Sequence, residues 1–188
     1  MNKIQIIVNN GAGTGSAVAV WKETKEYLQE NGISYNAYLT RYEKHAVKLA
    51  GQICRKIPEG PIYLLVVGGD GTINEVLNGI TDFDRVRLGV IPTGSGNDFA
   101  RNLGILRDTR EDLREITACI DQEQNGEKLQ RIDLGKVSWE GCEKPRIFGI
   151  SAGAGLDAIV CKKALHSKLK KILNRFHLGK LTYLMLTV

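Results

Sequence analysis

Tyr63-Leu-Leu-Val-Val-Gly-Gly-Asp-Gly-Thr-Ile-Asn-Glu-Val-Leu-Asn-Gly-Ile80 changes its period in the middle. Residues 63–67 are an unbroken apolar run, as in a strand buried on both faces, and residues 73–80 read as a helix. Between them Gly68, Gly69, Asp70, Gly71 and Thr72 make a tight glycine turn carrying one carboxylate. Glycine lets a backbone approach a ligand closely and supplies positive φ angles, while the free amides and dipole of a helix N-terminus favour phosphate. Asp70 alone would repel a phosphate held there, so its presence makes sense with a divalent cation between the two. Asp-Gly is also common in β-hairpins, but the helical pattern after Thr72 favours strand, turn and helix.

A matching unit follows. Leu88-Gly-Val-Ile91 reads as a buried strand, Pro92-Thr-Gly-Ser-Gly-Asn-Asp98 as the loop that ends it, and Phe99-Ala-Arg-Asn-Leu103 as the start of a short helix. Upstream, residues 3–8 and 34–39 read as strands, and 16–31 and 43–57 as helices. A further helix is expected over 109–121. This alternation predicts a doubly wound, mainly parallel α/β sheet with helices on both faces. Ligands of such sheets bind beyond the carboxyl ends of the strands. Four loops fall at that edge: Asn9-Asn-Gly-Ala-Gly-Thr-Gly15, the turn at Thr40, Gly68 to Thr72, and Pro92 to Asp98. A dinucleotide fingerprint fits the first loop poorly, because Gly13 and Gly15 are too close together and Thr40-Arg41 stands where a ribose-binding acid belongs. A Walker A lysine is also missing.

With 188 residues, 43% of them hydrophobic and 25% charged, the chain is ordinary globular material, long enough for one solid core and part of another. It has no apolar stretch near the roughly 20 residues of a membrane span and no signal-peptide pattern at its start, which favours a cytoplasmic location. Cys54, Cys119, Cys142 and Cys161 are widely spaced, which reads as buried or free thiols. Seven of the 26 Lys and Arg fall between residues 162 and 180 with no Asp or Glu among them, so the rest of the chain is weakly acidic against a formal total of +5. Leu165, Leu169, Ile172, Leu173 and Phe176 recur there at helical spacing. Such an amphipathic helix fits either an anionic membrane surface or a solvated face packed on its own domain. Nucleic acid is not favoured, since no recognition motif accompanies the charge.

The pattern changes after residues 122–127, with alternation over 129–139 and again over 146–152 around the turn-like Glu140-Gly-Cys-Glu-Lys-Pro145. A β-hairpin opening a second domain is expected, which divides the chain into an α/β domain over 1–123 and the beginning of a β-rich domain over 124–188. Asp133, between Ile132 and Leu134, is either a solvated hairpin carboxylate or a site residue. The closing run Leu181-Thr-Tyr-Leu-Met-Leu-Thr-Val188 has no cap, glycine stop or polar tail, and reads as an element cut short. Its unclosed apolar edge favours self-association into a homo-oligomer.

Gly68-Gly-Asp-Gly-Thr72 with Asn74-Glu75, together with Pro92-Thr-Gly-Ser-Gly-Asn-Asp-Phe-Ala-Arg101, resembles the diacylglycerol kinase catalytic domain of bacterial lipid kinases, shared with sphingosine kinases. The resemblance implies ATP-dependent phosphoryl transfer to a lipid hydroxyl at a membrane surface, with Mg²⁺. By the same resemblance, Asn9, Asn10, Gly11, Ala12 and Gly13 form the first nucleotide loop, with Asn10 where proline is usual. Thr40, Gly68, Gly69, Asp70, Gly71, Thr72, Ile73, Asn74, Glu75 and Thr93 complete the nucleotide site, with Glu75 directed to the ribose or the loop backbone. Asp70, Asp98 and Asp133 organise Mg²⁺ and its waters. Phe148-Gly-Ile-Ser-Ala-Gly-Ala-Gly-Leu-Asp157 resembles the family's glycine-rich segment leading into the second domain. The resemblance further implies about a hundred additional residues carrying the general base and a structural Mg²⁺ site. Two other readings stay open: a nicotinamide dinucleotide kinase, which also has Gly-Gly-Asp-Gly-Thr but not the loop from Thr93 to Arg101, and a non-catalytic nucleotide-binding module.

Overall fold

The computed structural model describes residues 3–11, 16–105, 108–127, 129–155 and 158–159. The chain forms two compact units, Met1–Ile150 and Ser151–Val188, and every element below belongs to the first. β1 (Ile4–Val8), α1 (Ser16–Glu30), β2 (Tyr35–Leu39), α2 (His45–Lys56), β3 (Ile62–Gly68), α3 (Asp70–Leu77), β4 (Val86–Pro92), α4 (Asp98–Asn102) and α5 (Thr109–Gln124) alternate as the sequence pattern predicts. They are followed by a short pair, β5 (Gly135–Val137) and β6 (Arg146–Phe148).

The sheet runs β2-β1-β3-β4 with all pairs parallel. β1 and β3 are buried at every position, which is why they read as continuous apolar runs rather than alternating ones. Helices cover both faces. On one side Ile7, Leu64, Val66 and Val90 meet Ala50 and Ile53 of α2, Ile73 and Val76 of α3, and Phe99 of α4. On the other, Ile4, Ile6, Leu65 and Ile91 meet Trp21 and Leu28 of α1 and Leu113 and Ile120 of α5. A fully buried Leu or Ile contributes about 1.5–3 kcal/mol, so these two layers supply most of the fold's stability.

Several smaller features tie the layers. Arg110 at the start of α5 donates to both carboxylate oxygens of Glu30 at the end of α1, at 2.8 and 3.1 Å. The hydrogen bond from Arg110 holds the Glu30 carboxyl below the usual carboxylate range. Burial, with Glu123 nearby, pushes the Tyr63 phenol up. A cavity of about 270 Å³ lies beside β4, with Leu88, Gly89, Ile116, Cys119, Ile120 and Ile132 in its lining. Among the described residues no helix is long and apolar enough to cross a membrane.

The strand registers decide where the loops end up. Val8 stands opposite Leu39 and Val67, and Val67 opposite Ile91, so the carboxyl ends of all four strands are level. The chain crosses from β2 over β1 to β3, which makes the β1–β3 boundary the switch point of the sheet. The loops after Val8 and after Gly68 flank it.

The β5–β6 pair is antiparallel, with Gly135 opposite Phe148. It is shorter than the alternation over 129–139 and 146–152 suggests, since neither 129–134 nor 149–152 pairs as strand. Asn78, the C-cap of α3, explains where the hairpin sits. Its side chain donates to the Ile147 carbonyl at 2.9 Å and accepts from the Ile147 amide at 3.0 Å, as a neighbouring strand would. By compactness the hairpin therefore groups with the α/β layers, whereas the sequence places a boundary at 123/124. The basic segment from Lys162 to Lys180 and the run from Leu181 to Val188 lie outside the described residues.

Candidate functional site

The turn after β3 is tighter than a loop. Gly69 is the N-cap of α3, with φ −97° and ψ −176°, and Asp70, Gly71 and Thr72 already lie in the first helical turn. Positive φ is not the reason for these glycines, because Gly68, Gly69 and Gly71 all lie outside that region. Space is the reason at two of them. A Cβ on Gly68 would lie 2.7 Å from Thr72 Cβ, and one on Gly69 would lie 3.0 Å from Gly94 Cα. Gly69 and Gly94 thus bring the two glycine loops into backbone contact.

Side chains then lock the loops together. Asn9 Nδ2 donates to Thr72 Oγ1 at 2.8 Å while Asn9 Oδ1 accepts from Gly11 N at 3.1 Å, joining the first loop to the third. Thr93 N donates to the Gly68 carbonyl at 3.1 Å, and Ser16 Oγ donates to the Thr93 carbonyl at 3.4 Å, joining the fourth loop to the third and to the start of α1. Asp70 accepts from the amides of Asp98 and Phe99, both at 3.1 Å, one on each carboxylate oxygen. It serves α4 as an N-cap from another helix. Asn97, in the left-handed region at φ 54°, closes its own loop by bonding both backbone groups of Gly94.

Glu75, five residues along α3, repeats the device. Its two carboxylate oxygens accept from Lys44 N at 3.0 Å and Ala46 N at 3.2 Å, capping α2. Asp98 faces outward, paired with Arg101 at 2.5 Å, and Arg101 also donates to the Gly96 carbonyl at 2.8 Å. A Cβ on Gly96 would lie 3.0 Å from Asp70 Oδ2 and 3.7 Å from Asp98 Oδ2, so both carboxylates flank that glycine.

Two polar atoms at this junction are buried without a partner: Thr93 Oγ1, on a residue only 5% exposed, and Asn10 Oδ1. A buried, unsatisfied polar atom costs about 1–3 kcal/mol, so Thr93 Oγ1, on the loop bonded to Gly68, is an atom that a polar ligand would satisfy.

Residues 3–137 match the diacylglycerol kinase catalytic domain. The chain belongs to that family. Relatives of the chain include YtlR of Bacillus subtilis (strain 168), whose name gives it provisionally as a lipid kinase, 31% identical over 179 residues covering 94% of this chain and 55% of that one. The diacylglycerol kinase of the same organism is 36% identical over 144 residues, 74% of this chain and 41% of that one. A crystal structure of a diacylglycerol kinase from Bacillus anthracis str. Sterne superposes with a TM-score of 0.53 at 30% identity, covering 62% of this chain and 39% of that one. The chain thus spans about half the length of the curated relatives it matches.

Of the residues expected from the family resemblance, the structure brings together Asn9, Asn10, Gly11, Gly68, Gly69, Asp70, Gly71, Thr72, Thr93 and Asp98. Ala12 and Gly13 lie outside the described residues. Ile73 is not at the surface of the site; it is 2% exposed and packs in the core. Asn74 makes its contact with Asn78 on the outer face of α3. Thr40 continues the β2 ladder through its amide to the Val8 carbonyl and lines a second cavity, of about 600 Å³, with Tyr38, Arg41 and His45. Glu75 is engaged with loop backbone, one of its two expected roles. Asp133 is exposed on the stretch before β5, and among the described residues no group of three or more His, Cys, Asp or Glu could hold a metal ion. The trio Asp70, Asp98 and Asp133 is therefore not assembled as a ligand set. Ser16, Asn78 and Asn97 were not singled out from sequence, since a polar residue at a helix end carries no sign of a partner dozens of residues away.

Proposed function

We propose that this unit binds the phosphates of ATP across the Gly68–Thr72 and Thr93–Asn97 loops and presents the γ-phosphoryl group to a lipid hydroxyl of diacylglycerol type. The supporting observation is the orphaned Thr93 Oγ1, buried where the loops converge beside the N-terminus of an eight-residue helix. That end offers the Gly71 amide and the positive pole of the helix dipole, which suit an anion. Asn10 Oδ1 adds an acceptor for a donor group on the ligand, and the first loop lies against Thr72 through Asn9.

Mg²⁺ commonly takes one or two carboxylates and completes its shell with phosphates and water. Asp70 and Asp98, both flanking Gly96, fit that donor set, since each carboxylate oxygen of Asp70 accepts one amide and keeps further lone-pair capacity. The ion would neutralise charge on the transferring phosphoryl group. The residues of this chain fix the loops, leave room for the Gly69–Gly94 backbone contact and hold Arg101 against Asp98. Lipid as substrate, and contact with a membrane surface, rest on the family and on its relatives' names.

The test is binding of Mg²⁺–ATP to the parent and to Thr93→Val, alongside transfer of labelled phosphate to diacylglycerol in mixed micelles. Removing an unsatisfied buried hydroxyl is expected to raise unfolding stability by about 1 kcal/mol while weakening nucleotide about tenfold. Equal affinity in both proteins would overturn the site, and transfer to a nicotinamide dinucleotide instead of lipid would overturn the substrate class.

A further inference from the structure

α2 begins without a cap of its own. Its N-cap residue is Lys44, held at φ 64° in the left-handed region, and a lysine side chain has no acceptor to offer the first-turn amides. His45 N donates to the Tyr42 carbonyl at 3.2 Å; left alone, the Lys44 and Ala46 amides would have only water. Glu75 reaches across from α3 and places one oxygen on Lys44 N and the other on Ala46 N, both at normal hydrogen-bond length. These are charge-assisted bonds across 31 and 29 residues of sequence, from the helix whose first turn forms the phosphate end of the site.

The segment between Thr40 and His45 is what this contact fixes. Thr40 closes the β2 ladder on Val8, Arg41 N donates to His45 Nδ1 at 3.1 Å, and Tyr42 stacks on His45 at 4.4 Å between ring centroids. Local contacts give the segment its shape. Only Glu75 ties its Lys44 end to α3 among the hydrogen bonds found for the described residues. We infer that Glu75 is a positioning residue: by bonding the Lys44 and Ala46 amides it holds α3, whose first turn is the phosphate-binding turn, against the start of α2, and so sets nucleotide affinity without touching nucleotide. The inference rests on the nucleotide reading above and assigns Glu75 a role distinct from a ribose contact.

The experiment compares the parent with Glu75→Gln and Glu75→Ala, reading amide hydrogen exchange at Lys44 and Ala46, global unfolding, and the dissociation constant for Mg²⁺–ATP. In the parent both amides exchange slowly. Glu75→Ala releases both and weakens Mg²⁺–ATP about tenfold, and Glu75→Gln, which keeps one acceptor oxygen, restores part of each effect. If Glu75→Ala does not fold, the glutamine variant carries the comparison alone. Released amides with parent-like affinity would overturn the inference, as would weakened affinity with both amides still protected, which would make Glu75 a direct contact. A parent that binds no Mg²⁺–ATP would remove the nucleotide reading and this inference with it.

Discussion

Asp70 and Asp98 stand at equivalent places, each the first residue of a helix that follows a glycine loop at the end of a parallel strand. Their carboxylates do different things. Asp70 turns inward along the loops and takes two amides of the neighbouring helix, whereas the side chain of Asp98 is 56% exposed and pairs with Arg101 one turn away. The loop with three glycines in four residues thus supplies the brace, and the loop with the left-handed asparagine supplies the groups that are braced. Repeated sequence does not mean repeated function. Asp70 spends its carboxylate on the amides of the next helix, while Asp98 keeps its carboxylate at the surface, paired with Arg101.

The difference can be broken most severely at Asp70. Asp70→Ala leaves two amides of α4 without their acceptor, and denaturant unfolding is expected to show a loss of about 3 kcal/mol, against less than about 0.5 kcal/mol for Asp98→Ala, whose exposed ion pair is weak. The glycines give the next effect. Gly69→Ala pushes a methyl to 3.0 Å from Gly94 Cα and separates the loops, costing about 1–2 kcal/mol and weakening Mg²⁺–ATP. Gly71→Ala meets nothing within 4 Å and should stabilise the unit by up to about 1 kcal/mol through helix propensity. Both are read from melting curves.

Two titrations provide smaller effects away from the loops. Tyr63 has its phenol pushed up by burial, so the folded state resists ionisation that the unfolded chain undergoes. Its contribution is intact below the ordinary tyrosine range and is lost as pH rises through and above it; Tyr63→Phe should flatten that alkaline loss in pH-dependent unfolding. The smallest effect belongs to Glu30, exposed and paired with Arg110. A lowered carboxyl pKa gives stability present above the usual carboxylate range and lost as pH falls through it. Glu30→Gln should remove a slight acid slope and change little near neutrality.

The sheet was legible because its central strands β1 and β3 are buried at every position and its helices are amphipathic, so period alone separated them. The bounds moved by up to three residues, as at α3, whose helix begins at Asp70 rather than after Thr72. The convergence of the loops followed from topology. What sequence could not supply was the direction of each side chain. Asp70 and Glu75 look like ligand groups in any linear reading, yet both have their oxygens on backbone amides of other helices. Of the two reasons the sequence offers for the glycines of the first motif, positive φ does not apply at Gly68, Gly69 or Gly71, and close approach holds at Gly68 and Gly69. Asp133 kept its place in a resemblance but lies exposed on a stretch that forms no strand.

The most direct measurement is a titration of the isotopically labelled protein with Mg²⁺–ATP, following every assigned backbone amide by NMR. Shifts confined to Asn10, Gly11, Gly68 to Thr72 and Thr93 to Asp98 are the predicted result, with Ile116 and Cys119 beside the β4 cavity unmoved. No shift at millimolar nucleotide, or shifts centred on that cavity, would contradict the assignment of the converging loops as the nucleotide site.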